Sequence, residues 1–208
     1  MSLVNDYYTI KGRVIEAGYG DEINWQADRR LEDVDEVMFL NELAWVILCS
    51  GMRVAVIQKK FPAIREAFLY FDAGAVAQHH ECVQEEALKI FNSKSKIGAI
   101  IQGVLLVRQT GWPEIKKLIE REPIATLQGF PYIGPVTSYH LAKNLGVQVA
   151  KPDRHLVRIA NAYGYEDVQK FCAEISRLSG DNVPVVDIVW WRYATLEPDY
   201  LNRIGKVE

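Results

Sequence analysis

Asp153 is a carboxylate residue at the start of a predicted helix, where it could serve as a structural cap or take part in acid–base chemistry. It follows Pro152 and comes directly before a stretch of helical periodicity, which is the position of a helix N-cap. The positive end of the helix dipole favours the ionised form of a carboxylate at that position. An ionised carboxylate can orient or deprotonate a water molecule, and it can stabilise positive charge that develops in a reaction. The local sequence alone favours a plain structural cap.

The stretch before Asp153 is predicted to be a turn followed by a short helix. Pro131 and Gly134 fix the turn, and Pro135 suits the first helical position, where its missing N–H group costs nothing. A stripe of small and aliphatic residues then follows at helical spacing: Gly134, Ser138, Leu141, Ala142 and Leu145. Gly146 is expected to close this helix as its C′ residue. The pattern therefore places Asp153 just after a compact helical hairpin.

Hydrophobic periodicity predicts helices through most of the chain. The clearest are an almost wholly apolar helix over residues 33–50 and a long helix that Ser93 caps and Gly111 ends. Pro62 is expected to begin a separate helix. Residues 1–30 are less regular, and we expect a short strand pair or an irregular arm there. Repeated helices with short connections predict an all-α protein.

Composition limits the class of protein. The chain has 208 residues, 49% of them apolar, which suffices for one large domain or two small lobes that share a core. It has no apolar run of about 18 residues, so we expect no membrane-spanning helix, and its first residues do not read as a signal peptide. The formal net charge of −3 argues against broad coating of nucleic acid but allows a local basic surface. Cys49, Cys82 and Cys172 are expected to be buried free thiols in a reducing cytoplasm.

The chain resembles a helix-hairpin-helix (HhH-GPD) DNA glycosylase of the endonuclease III type. Phe130-Pro-Tyr-Ile-Gly134 stands where that family has a Leu-Pro-Gly-Val-Gly hairpin, and Lys151-Pro-Asp-Arg-His155 is similar to its Val-Asp-Thr-His segment. Residues 90–96 and 190–193 resemble two further family segments in the same order. A local likeness to 3-methyladenine DNA glycosylase I covers residues 56–72 and 129–134.

The resemblance implies a two-lobed, all-α fold with a cleft between the lobes. It predicts one HhH-GPD unit over residues 1–208, with a helical lobe of residues 36–126 and a second lobe of residues 1–35 plus 127–208. It implies base excision repair, with Asp153 as the catalytic residue at the cleft. We expect a monomer whose partner is double-stranded DNA with a flipped damaged base. The expected location is the cytoplasm or the nucleoid, without association with a membrane.

Bifunctional members of the family carry a lysine just after the hairpin, and this lysine forms a Schiff base with the sugar. The matching position is Val136, which cannot form an imine. We therefore expect a monofunctional enzyme in which Asp153 activates water to hydrolyse the N-glycosidic bond of a damaged base, with the methyladenine likeness favouring an alkylated purine. Two alternatives stay open. One is a non-catalytic DNA-binding or scaffold protein, and the other is a bifunctional oxidised-purine glycosylase/AP lyase with Lys143 or Lys151 as a displaced lysine.

The resemblance also assigns binding residues. The hairpin is expected to hold a DNA phosphate by its amides and a monovalent cation by its carbonyls, through Phe130, Pro131, Tyr132, Ile133, Gly134, Val136 and Thr137. Tyr132 replaces the first hairpin glycine of the family. Met52 or Arg53 is expected to fill the gap left by the flipped base, because Gly51, at the matching position, has no side chain. The base pocket is assigned to Glu42, Trp45, Tyr139, His155, Trp190 and Trp191, since aromatic faces stack on bases.

Neither metal centre of the related enzymes is expected. No cysteine follows Cys172, so the endonuclease III iron–sulfur quartet is missing, and the zinc ligands of the methyladenine enzymes are missing too. His79 and His80 are adjacent and would diverge on a helix. A basic strip on the face of Asp153 would favour either DNA-acting interpretation, and its members would be Lys94, Lys96, Lys143, Lys151, Arg154 and Arg158.

Overall fold

The computed structural model describes residues 3–204, and in that range the chain forms helices joined by short turns, without a strand. The prediction of an all-α protein is therefore confirmed. In chain order the helices are α1 (Leu3–Val14), α2 (Gly20–Asp28), α3 (Glu36–Cys49), α4 (Val54–Ala67), α5 (Ala73–Gln78), α6 (His80–Ile90), α7 (Lys94–Thr110), α8 (Trp112–Arg121), α9 (Pro123–Gln128), α10 (Pro135–Asn144), α11 (Arg154–Ala162), α12 (Val168–Ser179), α13 (Val183–Leu196) and α14 (Tyr200–Arg203). Among the described residues, none of these helices has the length and apolarity required to cross a bilayer.

The N-terminal region corrects one prediction. Instead of a strand pair or an irregular arm, it forms α1 and α2, joined by a π-helical turn at Ile15–Tyr19. Tyr7, Ile10 and Val14 lie on one buried face of α1, at helical spacing. Aromatic and β-branched residues suggested strands locally, but burial of this helical face prevailed over that preference. Gly18, with a φ of 89°, allows the kink between the two helices.

Pro62 does not begin a new helix, because α4 runs through it from Val54 to Ala67. A proline inside a helix removes one backbone hydrogen bond. The buried side chains of Ile57 and Ile64, one on either side of the proline, hold both halves of α4 against the core. Tertiary packing therefore overrides the local break signal.

The chain divides into two compact units. One, here the terminal unit, combines Met1–Arg30 with Ala142–Glu208, and the other, the central unit, is Leu31–Leu141. This division differs from the expected lobes of residues 36–126 and 1–35 plus 127–208, because the hairpin after α9 belongs to the central unit. The boundary between the units falls inside α10.

The terminal unit has an aromatic core on which α11 rests. The ring of Trp190 on α13 packs against Tyr163, Phe171 and Tyr193, at centroid distances between 5.7 and 6.5 Å. The inner face of α11, which includes Ile159, is buried in the same cluster. Core packing therefore fixes the position of α11, the helix that begins after Asp153.

In the central unit, α3 and α7 pack closely against each other beside the hairpin. A Cβ atom on Gly103 of α7 would lie 2.6 Å from Cδ2 of Leu43 and 3.8 Å from the ring of Phe130. Phe130 also makes an edge contact with Phe39 of α3, with their centroids 5.2 Å apart. A Cβ atom at position 103 would require the side chain of Leu43 to shift. The hairpin therefore packs, through Phe130, against a close pairing of α3 and α7.

Gly146 ends α10 as predicted, with a φ of 91°. A Cβ atom at this position would lie 2.7 Å from the carbonyl oxygen of Arg29 and 2.8 Å from Cα of Arg30. The side chain of Arg29 also donates from Nε to the carbonyl of Asn144, at 3.1 Å. The end of α10 and the chain after α2 are therefore in direct backbone contact, which leaves no room for a side chain.

We predict that Gly146→Ala destabilises the protein by at least about 2 kcal/mol, since it adds a backbone clash to the left-handed penalty of about 1–2 kcal/mol. Gly180→Ala is the matched control, because Gly180 has a φ of 80° but nothing within 4 Å of an added Cβ. Denaturant unfolding of both variants should show a distinctly larger loss for Gly146→Ala. Equal losses would contradict the close approach.

Candidate functional site

Asp153 caps α11 as predicted. Its Oδ1 accepts hydrogen bonds from the backbone N–H groups of His155 at 2.9 Å and Leu156 at 3.1 Å. Its backbone is extended, with φ −84° and ψ 173°, as is usual at an N-cap. Both cap bonds use the same oxygen, so Oδ2 lies outside the cap. The half-buried carboxylate is therefore held in one orientation with one oxygen left over for other contacts.

The chain that leads from α10 to Asp153 is held by side chains. Residues 147–153 are neither helix nor strand. Gln169 of α12 binds Ala150 twice, accepting from its N–H at 2.9 Å and donating to its carbonyl at 2.6 Å. Asp187 of α13 accepts from the N–H of Lys151 at 2.6 Å. Two helices of the terminal unit thus fix the backbone directly before the cap.

Asp187 is buried together with its cation. Lys143 of α10 donates from Nζ to Oδ1 of Asp187, and the two side chains are only 5% and 2% exposed. Burial, and after it the charge of Asp187, raises the pKa of the nearby Cys172 thiol well above its usual range. Cys172 therefore stays neutral, and Lys143 balances the carboxylate.

His155, expected beside the site, is engaged on both ring nitrogens. Arg154 donates from Nε to Nε2 of His155 at 3.3 Å, so Nε2 is an acceptor. Nδ1 then carries the proton and donates to the hydroxyl of Tyr200 on α14, at 3.2 Å. Desolvation lowers the pKa of His155 below its usual value. The ring is thus a neutral hydrogen-bonded link between α11 and α14.

The hairpin of the central unit is a tight turn with a side chain at a glycine-like position. The N–H of Ile133 donates to the carbonyl of Phe130 at 3.2 Å, and Tyr132 has a φ of 67°. Pro131 in second place and a positive φ in third place are the pattern of a type II turn. The Phe130 and Ile133 side chains are buried, whereas the Tyr132 ring is 46% exposed. The backbone of Tyr132 is thus left-handed, a conformation that glycine adopts far more readily than other residues.

Several hairpin amides already have partners inside the hairpin. The N–H of Gly134 donates to the hydroxyl of Thr137 at 2.7 Å, and the same hydroxyl donates to the carbonyl of Gly134 at 3.3 Å. This is one half of a capping box at the start of α10. The Thr137 hydroxyl was expected to contact phosphate, but it is used in this cap. The bonds described do not use the N–H groups of Tyr132, Val136 and Thr137, which remain the candidate phosphate donors.

Lys96 connects the hairpin to the turn after α3. Its Nζ donates to the carbonyls of Leu48 at 2.8 Å and Ser50 at 2.5 Å. It also lies over the rings of Phe91 and Tyr132, at 5.7 and 5.8 Å from their centroids. Desolvation lowers its pKa. Lys96 therefore holds together the two segments of the central unit that were expected to contact DNA.

The turn at residues 50–53 presents its side chains to the outside. Gly51 has a φ of 68°, and Met52 is 42% exposed. Arg53, also exposed, precedes α4 without making a side-chain cap bond. A groove of about 310 Å³ adjoins the turn, lined by Met52, Val56, Lys60, Phe91, Asn92, Ser93 and Lys96. Both predicted gap-filling residues are sterically able to reach an external partner.

The aromatic base-pocket candidates fall into two groups. The prediction of Trp190 is wrong, because its ring is fully buried in the core of the terminal unit and offers no face to a ligand. Trp191 is half-buried, and the guanidinium of Arg192 lies 4.7 Å from its ring centroid. In the central unit, Trp45 is half-buried against Phe61, at 5.1 Å between centroids, and Glu42 and Tyr139 are also half-buried.

The burial of several lysine and cysteine side chains differs from what the sequence predicts. Lys96 and Lys143 are buried, so they cannot belong to a phosphate-facing basic strip. Cys172 is buried as expected, but Cys49 at the end of α3 is half-buried. Cys82 is exposed, because Val83 and Ala87 form the buried face of α6. Over residues 3–204, no group of three or more histidine, cysteine, aspartate or glutamate residues is arranged to hold a metal ion.

Sequence reasoning missed the residues that hold the segment before Asp153. Asp187 carried a signal, since it is the only charged residue in the apolar run from 183 to 191, and a buried charge needs a partner. Gln169 and Tyr200 carried no such signal, because each lies in an ordinary amphipathic or terminal helix. Their roles depend on tertiary contacts.

Comparison with known proteins gives one similar fold. No family model matches the sequence, and no curated protein matches it. The structure is similar to that of the Methanocaldococcus jannaschii 8-oxoguanine glycosylase/lyase in complex with a 15mer DNA containing 8-oxoguanine. The match has a TM-score of 0.61 at 17% identity and covers 95% of this chain and 99% of that one. The chain therefore has the same fold as this archaeal DNA glycosylase/lyase. The fold predicted from the hairpin and aspartate segments is thereby confirmed.

We predict that His155 weakens the fold as the pH falls. Its folded pKa is below the unfolded value of about 6.5, so the unfolded state binds the proton more readily and stability is lost between about pH 7 and the folded pKa. Denaturant unfolding of wild type and His155→Gln from pH 7.5 to 5.5 should show the wild-type advantage shrinking with acidity. A constant difference over that range would contradict the neutral link to Tyr200.

Proposed function

We propose that this protein is a monofunctional DNA N-glycosylase of base excision repair. The observation that supports it most is Asp153, a carboxylate fixed at the start of α11 with Oδ2 outside the cap, in a chain of glycosylase fold. The partner is double-stranded DNA from which a damaged base is flipped, since chemistry at the base requires its removal from the stack. The similar archaeal structure contains DNA with a damaged base.

The reaction uses the carboxylate of Asp153 and one water molecule. As the bond between C1′ and the base nitrogen breaks, its electron pair leaves with the base and positive charge develops on the sugar. The carboxylate stabilises this charge and accepts a proton from the water, whose oxygen forms the new bond to C1′. The proton then passes to the leaving base. The products are a free base and an abasic site, without strand cleavage and without a cofactor.

Two lysine observations support hydrolysis over a Schiff base. The position of the family lysine holds Val136, a 40% exposed aliphatic side chain at the start of α10. Lys143, the first candidate for a displaced lysine, is buried and bound to Asp187. A Schiff-base amine must be neutral and within reach of C1′. Of the two candidates that the sequence offered, Lys143 is buried and Lys151 is half-buried.

The proposed DNA contacts lie in both units. In the central unit, the hairpin donates N–H groups to a phosphate and offers the exposed Tyr132 ring, while Met52, with Arg53, fills the gap left by the flipped base. The central unit also holds the base-contact candidates Trp45, Glu42 and Tyr139. In the terminal unit, Trp191 and His155 accompany Asp153.

The proposed substrate is a damaged purine. The local sequence likeness to methyladenine enzymes favours an alkylated purine. The second candidate is an oxidised purine, favoured by the 8-oxoguanine in the DNA of the similar archaeal structure. Both are larger than a pyrimidine, and both can be stacked by the aromatic side chains of the proposed pocket.

We predict that Asp153→Asn lowers the single-turnover rate of base release at least about 100-fold, the size expected for loss of a general base. The substrates are duplexes that each hold 7-methylguanine, 1,N6-ethenoadenine, 8-oxoguanine or uracil, with released base measured by chromatography. DNA affinity and unfolding should change little, because asparagine also caps helices well. Asp167→Asn, which alters the cap of α12, is the control and should keep the wild-type rate. Undiminished excision by Asp153→Asn would refute the assignment.

We predict that borohydride traps no enzyme–DNA adduct during turnover, because the reaction has no imine intermediate. Product strands should break only after hot alkali, which cleaves abasic sites, and should stay intact under neutral gel conditions. The control is a known glycosylase/lyase on the same duplex. A trapped adduct that disappears in Lys151→Ala would instead identify a bifunctional enzyme with a displaced lysine.

A further inference from the structure

We propose that Asp187, with Lys143 as its counter-ion, is a positioning residue that sets the place of the Asp153 carboxylate. The inference rests on the proposed function for its catalytic consequence, but its structural content concerns the free protein. The three residues come from α13, α10 and the start of α11, and they are joined through the backbone of Lys151. The following observations carry this inference.

Asp187 lies where a carboxylate is energetically unfavourable. Its neighbours Val186 and Trp190 are fully buried, and its own side chain is 2% exposed. Desolvating two ions costs several kcal/mol each, and apolar side chains of similar size often give a fold of equal or greater stability. Stability therefore does not account for this pair, which must be explained by a directed contact.

The directed contact is the second oxygen of Asp187. Oδ1 binds Lys143, while Oδ2 accepts the N–H of Lys151 at 2.6 Å. Lys143 fixes the carboxylate from one side, so the acceptor for Lys151 cannot rotate away. The ion pair on α13 and α10 thus acts as a rigid anchor for one peptide group of the segment before α11.

The backbone segment between that anchor and the proposed catalytic group, Asp153, is short and conformationally restricted. The carbonyl of Lys151 accepts the N–H of Asp153 at 2.8 Å, so Lys151 is held on both its N–H and its C=O group. Pro152 lies between the two residues, and its ring fixes φ. A shift at Lys151 is therefore passed directly to Asp153. A displacement of about 1 Å at a reacting group can cost about 100-fold in rate.

The test replaces the ion pair in two ways. Lys143→Met with Asp187→Leu removes both charges and the acceptor for the Lys151 N–H, and it fills the space with apolar atoms. Lys143→Gln with Asp187→Asn also removes both charges but keeps an acceptor oxygen at position 187. Lys11→Met with Asp181→Asn removes a more exposed ion pair of the same unit and is the control for loss of charge.

The double variant Lys143→Met with Asp187→Leu, here the apolar pair, should keep the thermal midpoint and the DNA affinity of the wild type. Its single-turnover rate of base release should nevertheless fall about 100-fold. The double variant Lys143→Gln with Asp187→Asn, here the amide pair, should release base at least about tenfold faster than the apolar pair. The control, Lys11→Met with Asp181→Asn, should release base at the wild-type rate. A wild-type rate in the apolar pair, or equal losses in the apolar and amide pairs, would overturn the proposal.

Amide hydrogen exchange of the free protein, measured by NMR, tests the same inference without a substrate. In the wild type, the N–H groups of Lys151, His155 and Leu156 should be protected. In the apolar pair this protection should fall at least about tenfold, with core amides unchanged, and in the amide pair it should largely remain. Unprotected wild-type Lys151, or full protection in the apolar pair, overturns the proposal.

The two proposals fail in different ways. If the wild type releases no base from any duplex while the exchange results are as expected, the glycosylase function fails and the positioning of Asp153 stands. If base release is observed but the apolar pair keeps both its rate and its amide protection, the function stands and the positioning fails. If the apolar pair does not fold, hydrogen exchange at the Lys151 N–H group of the wild type tests the positioning proposal, and an unprotected amide there overturns it.

Discussion

The structure of the candidate site depends on how an irregular stretch of backbone satisfies its polar groups. Residues 147–153 belong to no helix or sheet, and buried N–H and C=O groups without partners are costly. The partners are side chains of two helices, Gln169 at Ala150 and Asp187 at Lys151. A reactive group on a loop is normally less precisely held than one on a helix or strand. Here the loop is fixed by α12 and α13, which are themselves packed in the aromatic core.

A second constraint shapes the hairpin of the central unit. The backbone of Tyr132 is left-handed, which costs an L-residue about 1–2 kcal/mol relative to glycine. The turn persists because the buried side chains of Phe130 and Ile133 fix it on both sides and because Lys96 lies against the Tyr132 ring. Strain of this kind is kept where the surroundings determine the conformation, and it is common at functional sites. The strained turn presents the exposed aromatic ring of Tyr132 at a backbone position that glycine adopts without strain.

The sequence predicted what local signals determine. Periodicity located most helices, Pro135 and Gly146 marked the ends of the helical hairpin, and the position of Asp153 predicted its cap. Residues 3–28 were misread because their aromatic and β-branched residues favour strands, while the buried face that makes them helical is recognised only beside α12 and α13. Lys143 and Lys96 were taken for surface cations, since nothing near them in sequence shows which carbonyls or carboxylates they meet. The base-pocket prediction for Trp190 was wrong for a similar reason, because an aromatic residue on an apolar helix is equally compatible with a core position and a pocket position.

The proposal that water rather than an amine is the nucleophile is supported by where α10 places its side chains. Val136 and Lys143 are seven residues apart, so they lie on nearly the same face of α10, about 10 Å from each other along its axis. A lysine at the second position cannot do the work of one at the first, because its charge balances Asp187 in the core. Withdrawing that amine to form an imine would leave a buried carboxylate without its cation, which typically costs 3–5 kcal/mol. In the proposed mechanism Lys143 neutralises Asp187 and helps to hold Asp153 in place, so it is not the amine that attacks the sugar. We therefore propose water, activated by the carboxylate of Asp153, as the nucleophile.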